Sequence, residues 1–203
     1  MKKSKLVLLG MTILSLTLLI SACGEKKVTY KTYTSYPPMT IDQNKTYTAT
    51  IKTNYGDIVA ELYPKEAPLA VNSFVFLARE GFFNNIKFHR VIKGFVIQTG
   101  DPTGTGMGGP GYSFADELPT TRDYIGGILA MANSGANTNG SQFFITLANL
   151  TGSLQKNYTI FGKVINGMDV ALQIGNVPVK TQNGEQSAPT VDVHIISVTI
   201  TEK

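Results

Sequence analysis

The chain has 203 residues, 18 Lys and Arg against 14 Asp and Glu, two His, no Trp and a single Cys. That length suits one sizeable core, and the lone cysteine excludes an internal disulfide and a zinc site of the usual Cys/His kind. The formal charge of +4 drops to +1 without Lys2, Lys3 and Lys5 of the first 22 residues, too little for a nucleic-acid partner bound through its phosphates.

At the N-terminus, those three lysines precede an apolar run of 15 residues, Leu6 to Ile20. A bilayer span takes about 20, so the run reads as a targeting signal. Ile20-Ser21-Ala22-Cys23 has the order of a bacterial lipobox; a secretory signal cut near a chance cysteine is the alternative. On the lipobox reading, residues 1–22 are a lipoprotein signal peptide and Cys23 is lipidated. The protein is then anchored to the extracytoplasmic face of the cell membrane, stably so with two acyl chains. Residues 23–45 are polar, with Pro37 and Pro38, and are expected to be a flexible tether. Tyr30, Tyr33 and Tyr36 recur every third residue and would otherwise be a surface-packing strip.

A folded domain is expected over 46–203. Tyr47–Thr53 and Asp57–Leu62 are β-rich runs joined by Asn54-Tyr55-Gly56, a hairpin signal. Pro68 to Glu80 changes to a helical period, with Pro68 in the first turn and Gly81 as the stop. Ile86–Gln98 reads as strand, and residues 100–113, with six glycines, as a long loop. Ile128–Asn133, Ser141–Thr146, Thr159–Val164 and Val191–Ile200 read as strands and Val170–Ile174 as a short second helix. The expected fold is mainly β: a closed antiparallel eight-stranded barrel capped by two helices.

The chain offers little conventional catalytic equipment. It has no Gly-x-Ser-x-Gly elbow and no Walker loop, and Gly104–Gly111 lacks the lysine of a phosphate cradle. Asp116 and Glu117 are adjacent, so on an extended chain they face opposite ways. That leaves Arg90. Alternation places Phe88, Arg90 and Ile92 on one face, and a guanidinium there needs an opening because burying it unpaired is costly. It is either a structural ion pair with an acid or a group held by Gln98 without being neutralised.

Phe88-His89-Arg90, Gly94-Phe95, Gln98 and Gly100-Asp101, followed by Met131-Ala132-Asn133 and Asn137 through Phe144, resemble the signature segments of the cyclophilin peptidyl-prolyl isomerases. Phe161-Gly162-Lys163-Val164 extends the likeness, which runs from about residue 46 to the C-terminus. The resemblance implies an isomerase (rotamase) without cofactor or metal, a monomer acting on proline-containing polypeptides, which the N-terminal signal would place among secreted or envelope proteins. It implies catalysis by Arg90, oriented by Gln98, with Phe95 beside them. Val96, Phe144 and Leu154 would complete the proline pocket, and Ala132, Asn133 and Gln142 would touch the peptide. Tyr158 aligns near the place of a pocket-closing histidine. Val96 stands where many members carry methionine, and the region Leu150–Leu154 lacks the tryptophan that contacts cyclosporin in many eukaryotic members, so weak cyclosporin binding is expected. A non-catalytic peptide-binding lipoprotein, acting as chaperone or scaffold, is the competing reading.

Overall fold

A computed structural model describes residues 30–203; the expected signal peptide, Cys23 and the first residues of the expected tether, 1–29 in all, lie outside the described residues. Ten strands and two helices follow in order. They are β1 (Tyr47–Thr53), β2 (Gly56–Leu62), α1 (Pro68–Arg79), β3 (Arg90–Ile92), β4 (Val96–Thr99), β5 (Ile128–Met131), β6 (Phe143–Thr146), β7 (Ile160–Asn166), α2 (Met168–Ile174), β8 (Val179–Gln182), β9 (Glu185–Pro189) and β10 (Ile195–Glu202). Eight strands form one antiparallel sheet in the order β10-β1-β2-β7-β5-β6-β4-β3, and β8 and β9 form a separate hairpin.

The sheet is not a closed barrel. It curls through 202° and stops, because its edges β10 and β3 share no ladder. Only one isolated bridge, Lys87 with His194, and a few backbone bonds around it join the two edges. With three residues, β3 is too short to continue that pairing. The single strand expected over Ile86–Gln98 is a hairpin instead. Gly94, at φ 70°, turns the chain so that Arg90 stands opposite Gln98 and Ile92 opposite Val96. The alternation also breaks before β3. Phe88 and Val91 both enter the core, so Phe88 is not on the face of Arg90.

Strand alternation sorts the site from the core. Ile97, Phe143, Ile145, Leu129 and Met131 point inward, where Phe74, Phe83, Phe143 and Phe161 stack with ring centroids 5.1–6.0 Å apart. Their neighbours Val96, Phe144 and Ala130 point outward and join Tyr63, Tyr124, Ile128 and Ile160 in a second apolar cluster on the outer face. β1 shows the same division, with Tyr47, Ala49, Ile51 and Thr53 buried and Lys52 exposed.

Residues 30–45 are no tether. They lie across α1, with Tyr33 and Tyr36 packed on the core and Ile41 buried. The Tyr33 ring meets Phe76 at 5.0 Å, and Tyr36 meets Phe114 at 5.4 Å. Asn72, fully buried on α1, receives the Thr40 amide N–H and donates to Tyr36 Oη and the carbonyls of Pro37 and Pro38. An apolar helix face takes the tyrosines while one asparagine satisfies the backbone of a segment with little periodicity of its own.

Asp116 and Glu117 serve structure. Asp116 accepts from Asn137 N–H and Asn139 Nδ2. Glu117 accepts from Leu69 and Ala70 N–H, supplying the N-terminal cap that Ala67 cannot give α1.

Candidate active site

Pairing register builds the site. Arg90 on β3 is opposite Gln98 on β4, Gln98 is opposite Phe144 on β6, and Phe144 is opposite Ala130 on β5. Directly opposed residues share a face, so four strands present a row in which a cation, an amide and an aromatic ring stand side by side. Gly100 then lets β4 run close to the start of β6. Its φ is 87°, and a Cβ there would strike the Ser141 carbonyl, which sits beside the Ser141 hydroxyl donating to Gly100 O at 2.6 Å.

The row borders a hollow of about 280 Å³ whose walls are Arg90, Phe95, Val96, Gln98, Ala132, Asn133, Phe144, Leu154 and Tyr158. Val96 and Phe144 form its buried floor, 2% and 5% exposed, and Phe95, Leu154 and Tyr158 its half-buried rim. Tyr158 meets Phe144 edge to face at 5.4 Å and 86°, which fixes both rings. Its backbone is held in turn by Tyr124, whose hydroxyl donates to Tyr158 O at 2.7 Å. Asn133 also lines the hollow, and its side-chain amide donates to Asn157 O at 2.9 Å. Gln142, named with this group from the sequence, stands one step back and lines an adjoining hollow of about 500 Å³ under the glycine loop.

Two side-chain amides, Gln98 and Gln142, link the arginine to that loop. Arg90 Nη1 donates to Gln98 Oε1 at 3.4 Å, Gln98 Nε2 to Gln142 Oε1 at 3.0 Å, and Gln142 Nε2 to the carbonyls of Gly106 and Gly108 at 3.0 and 2.8 Å. The loop itself is tied by Asp101, which accepts from Thr103 N–H and hydroxyl and from Gly106 N–H at 2.7, 2.8 and 2.6 Å. Burial works to raise the Asp101 pKa, but the bonds from Thr103, Gly108 and Gly106 prevail and hold it below the usual carboxylate value. A depressed folded-state pKa stabilises above the unfolded value and the benefit fades as pH falls through the folded one. Asp101→Ala is therefore expected to destabilise the protein by about 1–3 kcal/mol at neutral pH, with the deficit shrinking below about pH 4. Chemical denaturation of both proteins across that range checks it.

Sequence reasoning missed Glu185. The arginine is not held by neutral amides alone: its Nε and Nη2 donate to Glu185 Oε2 and Oε1 at 2.7 and 2.8 Å. The two side chains are 31% and 43% exposed, and the ion pair pulls the Glu185 pKa down. The signal was present in Gln182-Asn183-Gly184-Glu185, an Asn-Gly pair that marks a two-residue hairpin. Asn183 and Gly184 take φ of 53° and 82°, as that turn requires, and deliver Glu185 to the arginine. His89 faces away from the hollow, close to Gly106, with neither ring nitrogen bonded. Burial lowers its pKa, with Asp101 opposing and Arg90 assisting, so it stays neutral.

Comparison with known proteins bears on the family and the fold. The family described as cyclophilin type peptidyl-prolyl cis-trans isomerase/CLD matches residues 48–200. Human peptidyl-prolyl cis-trans isomerase-like 1 is 49% identical over 150 residues, 72% of this chain and 87% of its own length. Human peptidylprolyl isomerase domain and WD repeat-containing protein 1 is 48% identical over 159 residues, 75% of this chain, but the chain spans only 24% of that protein. A crystal structure of a Cryptosporidium parvum cyclophilin type isomerase superposes with a TM-score of 0.71 at 38% identity, covering 78% of this chain and 99% of that one. A second, obtained in the presence of the dipeptide Ala-Pro, gives 0.70 at 40% identity over 77% and 99%. The chain belongs to the cyclophilin-type peptidyl-prolyl cis-trans isomerases.

Proposed function

We propose that the chain speeds rotation about X-Pro bonds in secreted or envelope polypeptides and so assists their folding, with Arg90 donating to the prolyl nitrogen and the hollow between Phe95 and Phe144 receiving the ring. The observation that carries this reading is an arginine whose Nη1 edge is held only by a long bond to Gln98, beside a hollow floored by Val96 and Phe144. Amide resonance sets a barrier of about 18–20 kcal/mol, and uncatalysed exchange takes tens to hundreds of seconds. Twisting the bond breaks the resonance and returns a lone pair to nitrogen. A donor aimed at that nitrogen binds it only in the twisted state, which is selective stabilisation.

Arg90 offers such a donor. Glu185 occupies Nε and Nη2 at short range, whereas the bond from Nη1 to Gln98 is long at 3.4 Å and readily exchanged for a better acceptor. One charge-assisted hydrogen bond contributes about 1.5–3 kcal/mol, roughly one to two decades of rate. The hollow adds to this by excluding water, which disfavours the more polar planar amide. Val96 and Phe144 cannot compensate the carbonyl that loses its solvent there.

The apolar run Leu6–Ile20 and the placement of Cys23 support a lipid-anchored form outside the cytoplasm; mass spectrometry of the mature N-terminus decides it, a diacylglyceryl cysteine being the expected result. The Arg90–Glu185 ion pair favours a second reading, in which the arginine is structural and the groove only binds peptide. Substoichiometric protein is expected to accelerate exchange of a short Ala-Pro peptide, read by magnetisation transfer; peptide binding without acceleration would establish the second reading.

A further inference from the structure

We infer that Glu185 is a positioning residue for Arg90, set at the site by the β8–β9 hairpin, and this rests on the catalytic role proposed for that arginine. The hairpin is a separate two-stranded sheet, and β8 is exposed along most of its length. Its Asn183-Gly184 turn places Glu185 first on β9, the strand that lies against β3.

The grip is specific to orientation. Two near-parallel bonds, Nε to Oε2 and Nη2 to Oε1, fix the plane of the guanidinium as well as its position. Once that plane is fixed, the direction of Nη1 follows, and it points along the edge shared with Gln98 and the hollow. The amide of Gln98 touches Nη1 only, by a long bond, and cannot define a plane. Stability does not explain the pair, since ion pairs as exposed as this one add little to folding. The carboxylate also withdraws charge from the donor, an effect opposite in sign to orientation. Orientation dominates here because a long, half-exposed arginine otherwise spreads over many rotamers, and misplacement by about 1 Å can lower a rate by about a hundredfold.

The test measures kcat and KM separately, by exchange spectroscopy on an X-Pro peptide, for the wild type, Glu185→Ala, Glu185→Gln, Arg90→Ala and the Glu185→Ala/Arg90→Ala double variant. Glu185→Ala is expected to lower kcat about five- to thirtyfold with KM within about twofold. Glu185→Gln, which keeps one acceptor without charge, falls between it and the wild type, and serves alone if the alanine variant misfolds. In the Arg90→Ala background Glu185→Ala is expected to change nothing further, because its effect passes through the arginine. An unchanged or raised kcat in Glu185→Ala, or an equal additional loss in the double variant, overturns the inference. If Arg90→Ala lowers the rate and Glu185→Ala does not, only the positioning role falls. If Arg90→Ala leaves the rate unchanged, the arginine reading falls and takes this one with it.

Discussion

Replacing Arg90 with alanine is expected to lower kcat for X-Pro exchange by about one to three decades while KM and thermal stability change little. The side chain forms one wall of the hollow, and Val96, Phe144, Phe95 and Leu154 remain to hold the ring, so ground-state binding survives. What the proposed role would lose is a hydrogen bond made only when the imide nitrogen has regained its lone pair, and losses confined to the transition state appear in kcat. Stability is spared for a separate reason. The Arg90–Glu185 pair is 31% and 43% exposed, and such pairs contribute about 0–1 kcal/mol. Arg90→Lys is no conservative test, because an ammonium cannot satisfy Glu185 and Gln98 with one planar fork. Equal rates for wild type and Arg90→Ala would remove the guanidinium from the reaction.

A chain shortened to begin at Thr46 is expected to lose on the order of 3–6 kcal/mol of folding stability, summing the burial of two tyrosines and an isoleucine with the buried polar group left behind. Tyr33, Tyr36 and Ile41 leave the core, and Phe76, Phe82, Tyr112 and Phe114 lose their covering rings. Asn72, 0% exposed in the intact protein, is stripped of Thr40, Tyr36, Pro37 and Pro38. The glycine loop is touched as well, since Tyr33 N–H donates to Pro110 O at 2.7 Å, so the shortened protein should also bind peptide less well. Urea unfolding of the two chains reads the difference directly. A true tether would leave the two midpoints together.

The reach of the sequence depended on how far each signal lay from its partner in the chain. Arg90, Phe95, Val96 and Gln98 fall within one short motif, and Phe144 within another, so their gathering around one hollow was readable before any coordinates. Glu185 was not, although it lies as close to Arg90 as any residue, because 95 positions separate the two. Only its Asn-Gly turn announced the strand that carries it, and nothing local said where that strand docks. The helical span from Pro68 was plain from its period, and the structure ends it at Arg79. The strap over α1 was obscure for the opposite reason: residues 30–45 look polar and aperiodic because Asn72, on another element, supplies their hydrogen-bond partners. Closure of the sheet was misread because it depends on whether two edges meet, and strand count alone does not decide that. A three-residue β3 that shares no ladder with β10, the chain meeting that edge only through the bridge of Lys87 with His194 and the backbone bonds around it, leaves the curl open.

The proposed catalysis turns on where the proline sits. Intermolecular nuclear Overhauser effects between an X-Pro peptide and the protein test it most directly. Contacts are expected from the pyrrolidine protons to Phe95, Val96, Phe144 and Leu154, the residues around the hollow that Arg90 borders. Proline contacts confined to the glycine-loop hollow around Met107 and Ser134, with none to Phe144, would contradict it.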